Sequence, residues 1–337
     1  MKKLALFFAL LLAALFTACD NDLQLAADWK DIPIVYGFMN RADTAHYIRV
    51  EKAFLDPDGN AFQTAQIVDS LYYPVEQITV QLENLQTGKL VTLQRVDGAA
   101  EGYPRDPGVF ANMPNYLYKV KATDFPLEGE QEVRFILNRG GNLDPVTAEA
   151  VVLAEIEPLS SITPGSKIDF PTDREATFRF RGGEEARIFD LKLLLHYFER
   201  EIANPSNVTE YTLEWPFATG VKASTETTTT TARVFGLNFY EFIGDNLEVK
   251  SGIERGLQSM TLVITGAGEA IDEYVSISLA NTGITSSQEV PVYTNLSEGR
   301  GIFSSISESV TPDLLLTDDS RDSLFFGQFT ADLNFVQ

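Results

Sequence analysis

Histidine and cysteine, two side chains that often act as general bases or nucleophiles, are scarce in this sequence. The 337 residues include 48 Asp and Glu, two histidines and a single cysteine. His196 lies in an apolar, strand-like stretch and is predicted to be a hydrogen-bonded core or pocket residue, whereas His46 precedes a strand in a charged turn and is predicted to be solvated. Neither lies near a nucleophile motif, so we predict no catalytic triad and no enzyme activity. A carboxylate pair for glycoside hydrolysis stays open, because the fold sets the distance between two such groups.

Metal and cofactor motifs are weak as well. The segment Asp56-Pro-Asp-Gly-Asn60 resembles part of a calcium loop, but position twelve of that loop would be Ile67 rather than glutamate. We predict a tight turn there and a solvated loop at the acidic cluster 318–322, and calcium binding by these loops stays open. The pair Gly299 and Gly301 lacks the third glycine and the βαβ unit of a dinucleotide loop. The sequence therefore predicts no metal centre and no cofactor.

The N-terminus has the pattern of a bacterial lipoprotein signal. Two lysines precede an apolar run from Leu4 to Phe16, too short to span a bilayer, and Thr17-Ala18-Cys19 follows it. We predict that 1–18 is a signal peptide, that Cys19 becomes the acylated first residue, and that 19–31 is a lipidated tether. The predicted location is the outer membrane, facing the periplasm or the cell surface. The alternative is an ordinary secreted protein with a chance cysteine near the cleavage site.

Charge and cysteine content exclude several other classes of protein. The formal net charge is −22, and a strongly acidic surface argues against nucleic acid as a partner and against docking on anionic lipid. If Cys19 is acylated, no thiol remains for a disulfide or for cysteine-ligated zinc. No other segment approaches the length of a membrane-spanning apolar run. The acyl chains are therefore the predicted contact with the membrane.

The rest of the chain is dominated by period-two alternation, which is typical of half-buried strands. Short alternating segments separated by turn residues run from residue 32 to 158, and 82–96 has the pattern of a hairpin folded at Thr87-Gly88. The length and spacing predict a mainly β fold of two β-sandwich modules, Ig-like or transthyretin-like. We place the first module at 32–158 and the second at 159–337.

The second module has one predicted helix. Apolar residues at spacings of three and four mark 237–247, which either covers an open end of the sandwich or binds a partner. The stretch 188–200 is predicted to be a central strand, and 274–279 and 328–335 are predicted to be further strands. The threonine-rich stretch 225–231 is predicted to be an exposed edge strand or its hairpin. The apolar C-terminal segments are predicted to pack onto this module.

One loop of the second module has unusual residue types. Asn295 can hydrogen-bond its own loop, and Gly299 and Gly301 permit positive φ or a close backbone approach. Phe303 follows them and is predicted to fill a pocket beside the last strands. The loop is either a conformational lock or a partner surface.

The segments Ala148-Glu-Ala-Val-Val, Phe178-Arg-Phe, Asp272-Glu-Tyr and Val290 to Phe303, behind the lipidation signal, carry a family resemblance. Together they resemble an uncharacterised lipoprotein family of Bacteroidota with two β-rich modules. Some members are encoded beside TonB-dependent outer-membrane receptors. The resemblance implies a role in envelope uptake or surface display and implies no catalytic residue.

We therefore expect a lipid-anchored binding or interaction protein of the cell envelope, accessory to an outer-membrane transporter or a surface complex. The alternative is a surface glycan-binding protein, in which aromatic rings supply stacking platforms, and a hydrolase is the third reading. The candidate stacking residues are Trp29, Trp215, Tyr72, Tyr73, Tyr103 and Tyr116.

Overall fold

A computed structural model describes residues 31–54, 60–159, 162–280 and 292–336. The fold is mainly β, with 46% of residues in strands and 14% in helices, which confirms the predicted fold class. The predicted signal peptide, Cys19 and the tether up to residue 30 lie outside the described residues, as does most of the calcium-like segment.

The first module packs two sheets face to face. Its core lies between the two sheets and is formed by alternate residues of the strands, such as the fully buried Val35, Ile48, Leu82 and Phe135. Two short helices, α1 (Ala61–Thr64) and α2 (Val68–Leu71), lie between the second and third strands of the chain. One sheet contains β1 (Pro33–Met39), β2 (Ala45–Lys52), β6 (Tyr116–Lys121) and β5 (Gln94–Asp97); the other contains β4 (Lys89–Thr92), β3 (Thr79–Asn84), β7 (Glu132–Asn138) and β8 (Val146–Val151).

The second module also packs two sheets around an apolar core of its own. The predicted central strand is confirmed, because β12 (Ile188–Glu201) lies between two longer neighbours. Those neighbours are β13 (Asn204–Lys222) and β15 (Ile253–Ala267), followed by β16 (Arg300–Leu316), whose end pairs with β10 (Lys167–Ile168); the opposing sheet contains β14 (Thr230–Phe235), β11 (Glu175–Arg181) and β9 (Glu157–Pro158).

The strand β16 joins the two modules. Its first part, Arg300 to Ser305, pairs in parallel with β1, and Ile306 to Leu314 pairs antiparallel with β15. Leu296 and Phe303 lie in the core of the first module. The predicted modules, 32–158 and 159–337, therefore differ from the structure in two places. Residues 294–305 complete the first module, whereas Leu153, Ile156 and β9 belong to the second. Parallel pairing between strands so far apart in sequence has no local signal.

The helices confirm one prediction and correct three. The predicted helix is α3 (Leu237–Asn246), whose Phe239, Tyr240 and Ile243 are buried in the second core. The predicted strand 274–279 is instead part of α4 (Glu269–Ala280), which has two acidic residues in its first turn. The predicted acidic loop 318–322 begins α5 (Asp318–Phe326), capped by the Thr317 hydroxyl. The predicted strand 328–335 contains a single 3-10 turn, Ala331–Leu333.

The C-terminal segment packs onto the second module, as predicted. Leu324, Leu333 and Phe335 are buried in its core. The buried Arg255 holds this segment, because its guanidinium donates to Glu199 Oε1 at 2.7 Å and to the Leu333 carbonyl at 2.8 Å. One guanidinium thus joins strands β12 and β15 to the end of the chain.

Candidate functional site

The loop from Asn295 to Phe303 is held by its own hydrogen bonds. Asn295 Oδ1 accepts from the Phe303 amide at 3.0 Å, and Asn295 Nδ2 donates to the Phe303 carbonyl at 2.6 Å. The Phe303 side chain is fully buried, with its ring centroid 5.8 Å from that of Phe135. The side chain that was predicted to fill a pocket does so, but in the first module.

The two glycines of this loop let β16 approach β1. Gly301 has φ +114°, and a Cβ on it would lie 1.8 Å from the Val35 carbonyl oxygen. Gly299 has φ +105°, and a Cβ there would lie 2.4 Å from the Pro33 carbonyl oxygen. Only glycine fits such contacts, so the lock that the sequence suggested has a definite structural basis.

An acidic cleft of about 330 Å³ lies beside this loop, between β7, β8 and α4. Tyr293 lies in it, and burial, with a hydrogen bond to Glu273 and its charge, raises the pKa of the Tyr293 phenol. Among the described residues, no group of three or more His, Cys, Asp or Glu side chains is placed to hold a metal ion. The carboxylates that line the cleft are Glu132, Glu149, Glu185, Glu269 and Glu273.

The structure corrects the prediction for one histidine. His46, which was predicted to be solvated, is 1% exposed, and its Nε2 lies 3.1 Å from the Phe125 carbonyl oxygen. Desolvation lowers the pKa of His46, so its neutral form is favoured. His196 is half-buried on the outer face of β12, hydrogen-bonded to the hydroxyls of Thr212 and Thr261.

Three of the six candidate stacking residues are buried, and Tyr116 is half-buried. Trp215, Tyr72 and Tyr73 are 4–6% exposed, and Trp29 lies outside the described residues. Tyr103 is 53% exposed, but its ring packs against Tyr47 at 4.9 Å. Within the described ranges these residues therefore do not form a row of open aromatic platforms.

A groove on the outer face of the first module combines charged and aromatic side chains. It has a volume of about 680 Å³, within the range of small-molecule sites. Strands β1 and β2 form its floor, where Tyr36 pairs with Arg49 and Ile34 pairs with Glu51 across the ladder. We call it the tether-end groove, because it begins three residues after Asp31; its lining includes Ile34, Tyr36, Arg49, Glu51, Lys52, Phe54, Arg105 and Phe110.

A buried carboxylate organises the charges of this groove. Glu51 is 8% exposed, and its Oε1 accepts from Arg49 Nη1 at 3.0 Å and from Arg105 Nη1 at 2.9 Å. Arg49 also donates to Asn115 Oδ1 at 2.7 Å, and the Arg105 guanidinium lies 5.3 Å from the centre of the Phe110 ring. Both guanidinium groups are therefore held in place before any ligand arrives.

An exposed apolar surface continues from the groove. The segment around Ala65 is hydrogen-bonded to the loop around Ala111, since the Ala111 amide donates to the Ala65 carbonyl at 2.8 Å. The Gln66 side chain joins the same two segments, because its Nε2 donates to the Val109 carbonyl at 2.5 Å. We call this surface the tether-end patch; it consists of Phe62, Ile67, Val109, Phe110 and Met113, each 45–69% exposed.

The chain enters the first module at a fixed point. Asp31 Oδ1 accepts from the Tyr73 hydroxyl at 2.7 Å, and Asp31 Oδ2 pairs with the buried Arg139 at 3.3 Å. Arg139 also pairs with Glu298 at 2.5 Å in the 295–303 loop. Asp31, the last residue of the predicted tether, is thus tied to the module. The next residue is held as well, because the Ile32 carbonyl accepts from the amide of Ala53 at 2.8 Å.

Sequence reasoning missed the groove, although one signal was present. The alternation Tyr47-Ile-Arg49-Val-Glu51 places Arg49 and Glu51 on one face of a strand. Arg105 and Phe110 lie in a long loop whose position over that face has no local signal. The helices α1 and α2, at four residues each, are too short for periodicity to show.

Comparisons with known proteins do not assign the chain to a family. No protein-family model matches it, and no curated protein does. Among solved structures it is similar to the FN1–FN3 domains of chicken CNTN1, at 9% identity and TM-score 0.19, covering 84% of this chain and 65% of that one. It is similar to the C-terminal globular domain of an oligosaccharyltransferase from Pyrococcus abyssi, at 8% identity and TM-score 0.22, covering 66% of this chain and 44% of that one.

A third likeness is to CBD12 from CALX1.2, at 9% identity and TM-score 0.15, covering 84% of this chain and 99% of that one. At TM-scores this low none of the three carries an argument about fold or function. In the part of the chain that the structure describes, no helix combines the length and the apolar character needed to cross a membrane.

Proposed function

We propose that this chain is a non-enzymatic binding protein of the cell envelope, anchored through acylated Cys19, whose tether-end patch contacts an outer-membrane transporter. The observation that carries the proposal is that the exposed patch shares Phe110 with a groove whose lining begins at Ile34, three residues after Asp31. Exposed apolar patches on soluble domains are typical of interaction surfaces.

The length of the predicted tether limits how far the first module can lie from the bilayer. Twelve peptide steps separate Cys19 from Asp31, and at about 3.5 Å each they reach at most about 42 Å. Because Asp31 is tied to Tyr73 and Arg139, the reach applies to the face that carries the groove and the patch. An integral membrane protein is therefore a partner within range.

A protein surface suits the patch better than a lipid surface does. The net charge of −22 opposes docking on an anionic bilayer. A surface-bound helix would carry lysine and arginine along its polar side, whereas α1 and α2 contain neither. Apolar side chains displayed from a helix and an adjoining loop are suited to a matching apolar surface on another protein.

Photo-crosslinking in intact cells tests the contact. A photo-reactive amino acid replaces Met113, which is 69% exposed in the patch, and a control replaces Val249, which is 67% exposed in the second module. We expect position 113 to crosslink to an integral outer-membrane transporter and position 249 not to do so. Crosslinks from position 113 to lipid alone, or to the same proteins as position 249, would contradict the proposal.

The anchor is tested separately by Cys19→Ser. The variant should lose acyl labelling and appear in the soluble fraction, while the unlipidated chain keeps its fold. Retention of this variant in the membrane fraction would contradict the lipoprotein part of the proposal.

A further inference from the structure

We infer that the tether-end groove is a binding site for a small oxyanion, a carboxylate or a phosphate ester, that carries a flat apolar group. The inference does not depend on the transporter contact, because its charged residues Arg49, Glu51 and Arg105 lie outside the patch and only Phe110 belongs to both. Its starting point is a local reversal of charge. The chain carries −22 in total, yet the groove is lined by Arg49, Lys52 and Arg105 against the single carboxylate Glu51.

The carboxylate in the groove is bound by both arginines of the groove. Both Glu51 oxygens accept from Arg105, at 2.9 and 3.4 Å, and Oε1 also accepts from Arg49. A ligand therefore meets a carboxylate that is already paired with two cations. A positive charge on the ligand would compete with these guanidinium groups, whereas a negative charge would add to the network.

The two arginines retain donors for a ligand. Arg49 uses only Nη1, which donates to Glu51 and Asn115, and in the described residues its Nε and Nη2 have no acceptor. Arg105 uses Nη1 and Nη2, so its Nε is likewise without an acceptor among the described residues. A guanidinium offers its donors in a planar fork that matches the two oxygens of a carboxylate or phosphate. Because Glu51 holds both groups, little side-chain entropy is lost on binding.

Two aromatic rings that line the groove indicate that the ligand carries a flat apolar group. Tyr36 on the floor is 38% exposed and Phe110 on the wall is 45% exposed. Burial, then the nearby Tyr274 and Glu51, raises the pKa of Tyr36, so its hydroxyl stays protonated and can donate to an oxyanion. A flat apolar group can pack against either ring, where offset or edge contacts add to the area that is buried.

The test is a binding titration of the full chain in detergent with four defined probes. Phenyl phosphate and benzoate carry both features, benzyl alcohol carries only the ring, and inorganic phosphate carries only the anion. Calorimetry should show binding of phenyl phosphate or benzoate at least about tenfold tighter than that of benzyl alcohol and of inorganic phosphate. The stronger of the first two identifies the oxyanion. Equal binding of benzyl alcohol would overturn the anion part, and equal binding of inorganic phosphate would overturn the apolar part.

Variants locate the site. Arg105→Gln should weaken binding about tenfold or more, whereas Arg134→Gln should not change it. Arg134 is a matched control, since it also pairs with two carboxylates, Glu83 and Glu149, but on the other sheet. Should Arg105→Gln fail to fold, Lys52→Gln takes its place, with an expected loss of severalfold. Equal losses in the control and the groove variants, or binding by none of the probes to the wild-type chain, would overturn the inference.

Discussion

Replacing Gly301 with alanine should separate the two strands that join the modules. The φ of +114° at this position is strained for any residue with a Cβ, at a cost of about 1–3 kcal/mol. The new Cβ would lie 1.8 Å from the Val35 carbonyl oxygen, while ordinary contact begins at 3.4 Å. To remove this overlap, β1 and β16 must move apart locally by roughly 1.6 Å if nothing else in the packed interior relaxes.

That movement acts on a defined set of pairs. Gly301 lies opposite Val35 in the parallel ladder from Ile34 and Arg300 to Met39 and Ser305. Losing two or three of its hydrogen bonds costs about 2–3 kcal/mol at about 1 kcal/mol each. With the backbone strain, Gly301→Ala should lower the free energy of unfolding by about 3–6 kcal/mol, a large part of the usual total of about 5–15 kcal/mol.

The assay is urea unfolding followed by circular dichroism, together with hydrogen exchange of peptides from β1 and β16. Gly88→Ala is the matched control, because Gly88 has φ +69° but nothing within 4 Å of an added Cβ. It should cost only about 1–2 kcal/mol. Faster exchange should appear in both β1 and β16 for Gly301→Ala alone. If the two variants lose the same stability and exchange alike, the close approach to Val35 does not limit this position.

Three further perturbations test other parts of the fold. Phe303→Ala should cost about 3–5 kcal/mol by leaving a cavity in the first core, whereas Phe62→Ala, at a site that is 69% exposed, should stay within about 0.5 kcal/mol in the same urea assay; similar losses would contradict the burial of Phe303. Arg255→Met should cost about 3–5 kcal/mol, because it strips a partner from the buried Glu199, and protease should then cleave the C-terminal segment; a segment that stays protected would contradict the role of Arg255. Burial opposes ionisation of Glu199, but its bonds to Lys250 and Arg255 outweigh this effect and lower its pKa, so its contribution to stability is present above the ordinary value of 4.5 and is lost as pH falls through the lowered pKa. Desolvation lowers the pKa of His46, so its contribution to stability is present above the ordinary value of 6.5 and is lost as pH falls from there through the lowered pKa. Below pH 6.5 the free energy of unfolding of His46→Gln should therefore change less with pH than that of the wild type. An equal slope of unfolding free energy against pH in the two proteins would show that His46 does not contribute.

Local patterns in the sequence determined much of the β framework. The hairpin at Gly88, the central strand from 188 to 200 and the helix at 237–246 follow from alternation, turn residues and three-to-four spacing, which involve only neighbours in the chain. The same rules gave a wrong result for 274–279, where period-two alternation lies inside a helix. Short apolar segments are compatible with either period, so packing decides between them.

Tertiary structure alone decided which distant residues meet. The partnership of Gly301 with Val35 joins residues more than 260 positions apart, and the groove brings Arg105 onto Glu51 across 54 positions. The sequence marked Asn295, Gly299, Gly301 and Phe303 as unusual by residue type, but not the module that they complete. Residue type and spacing determine the conformation that a segment prefers. The contacts of the 295–303 loop and of the tether-end groove instead require residues far apart in the sequence to meet, and the packing of the whole chain decides which of them do.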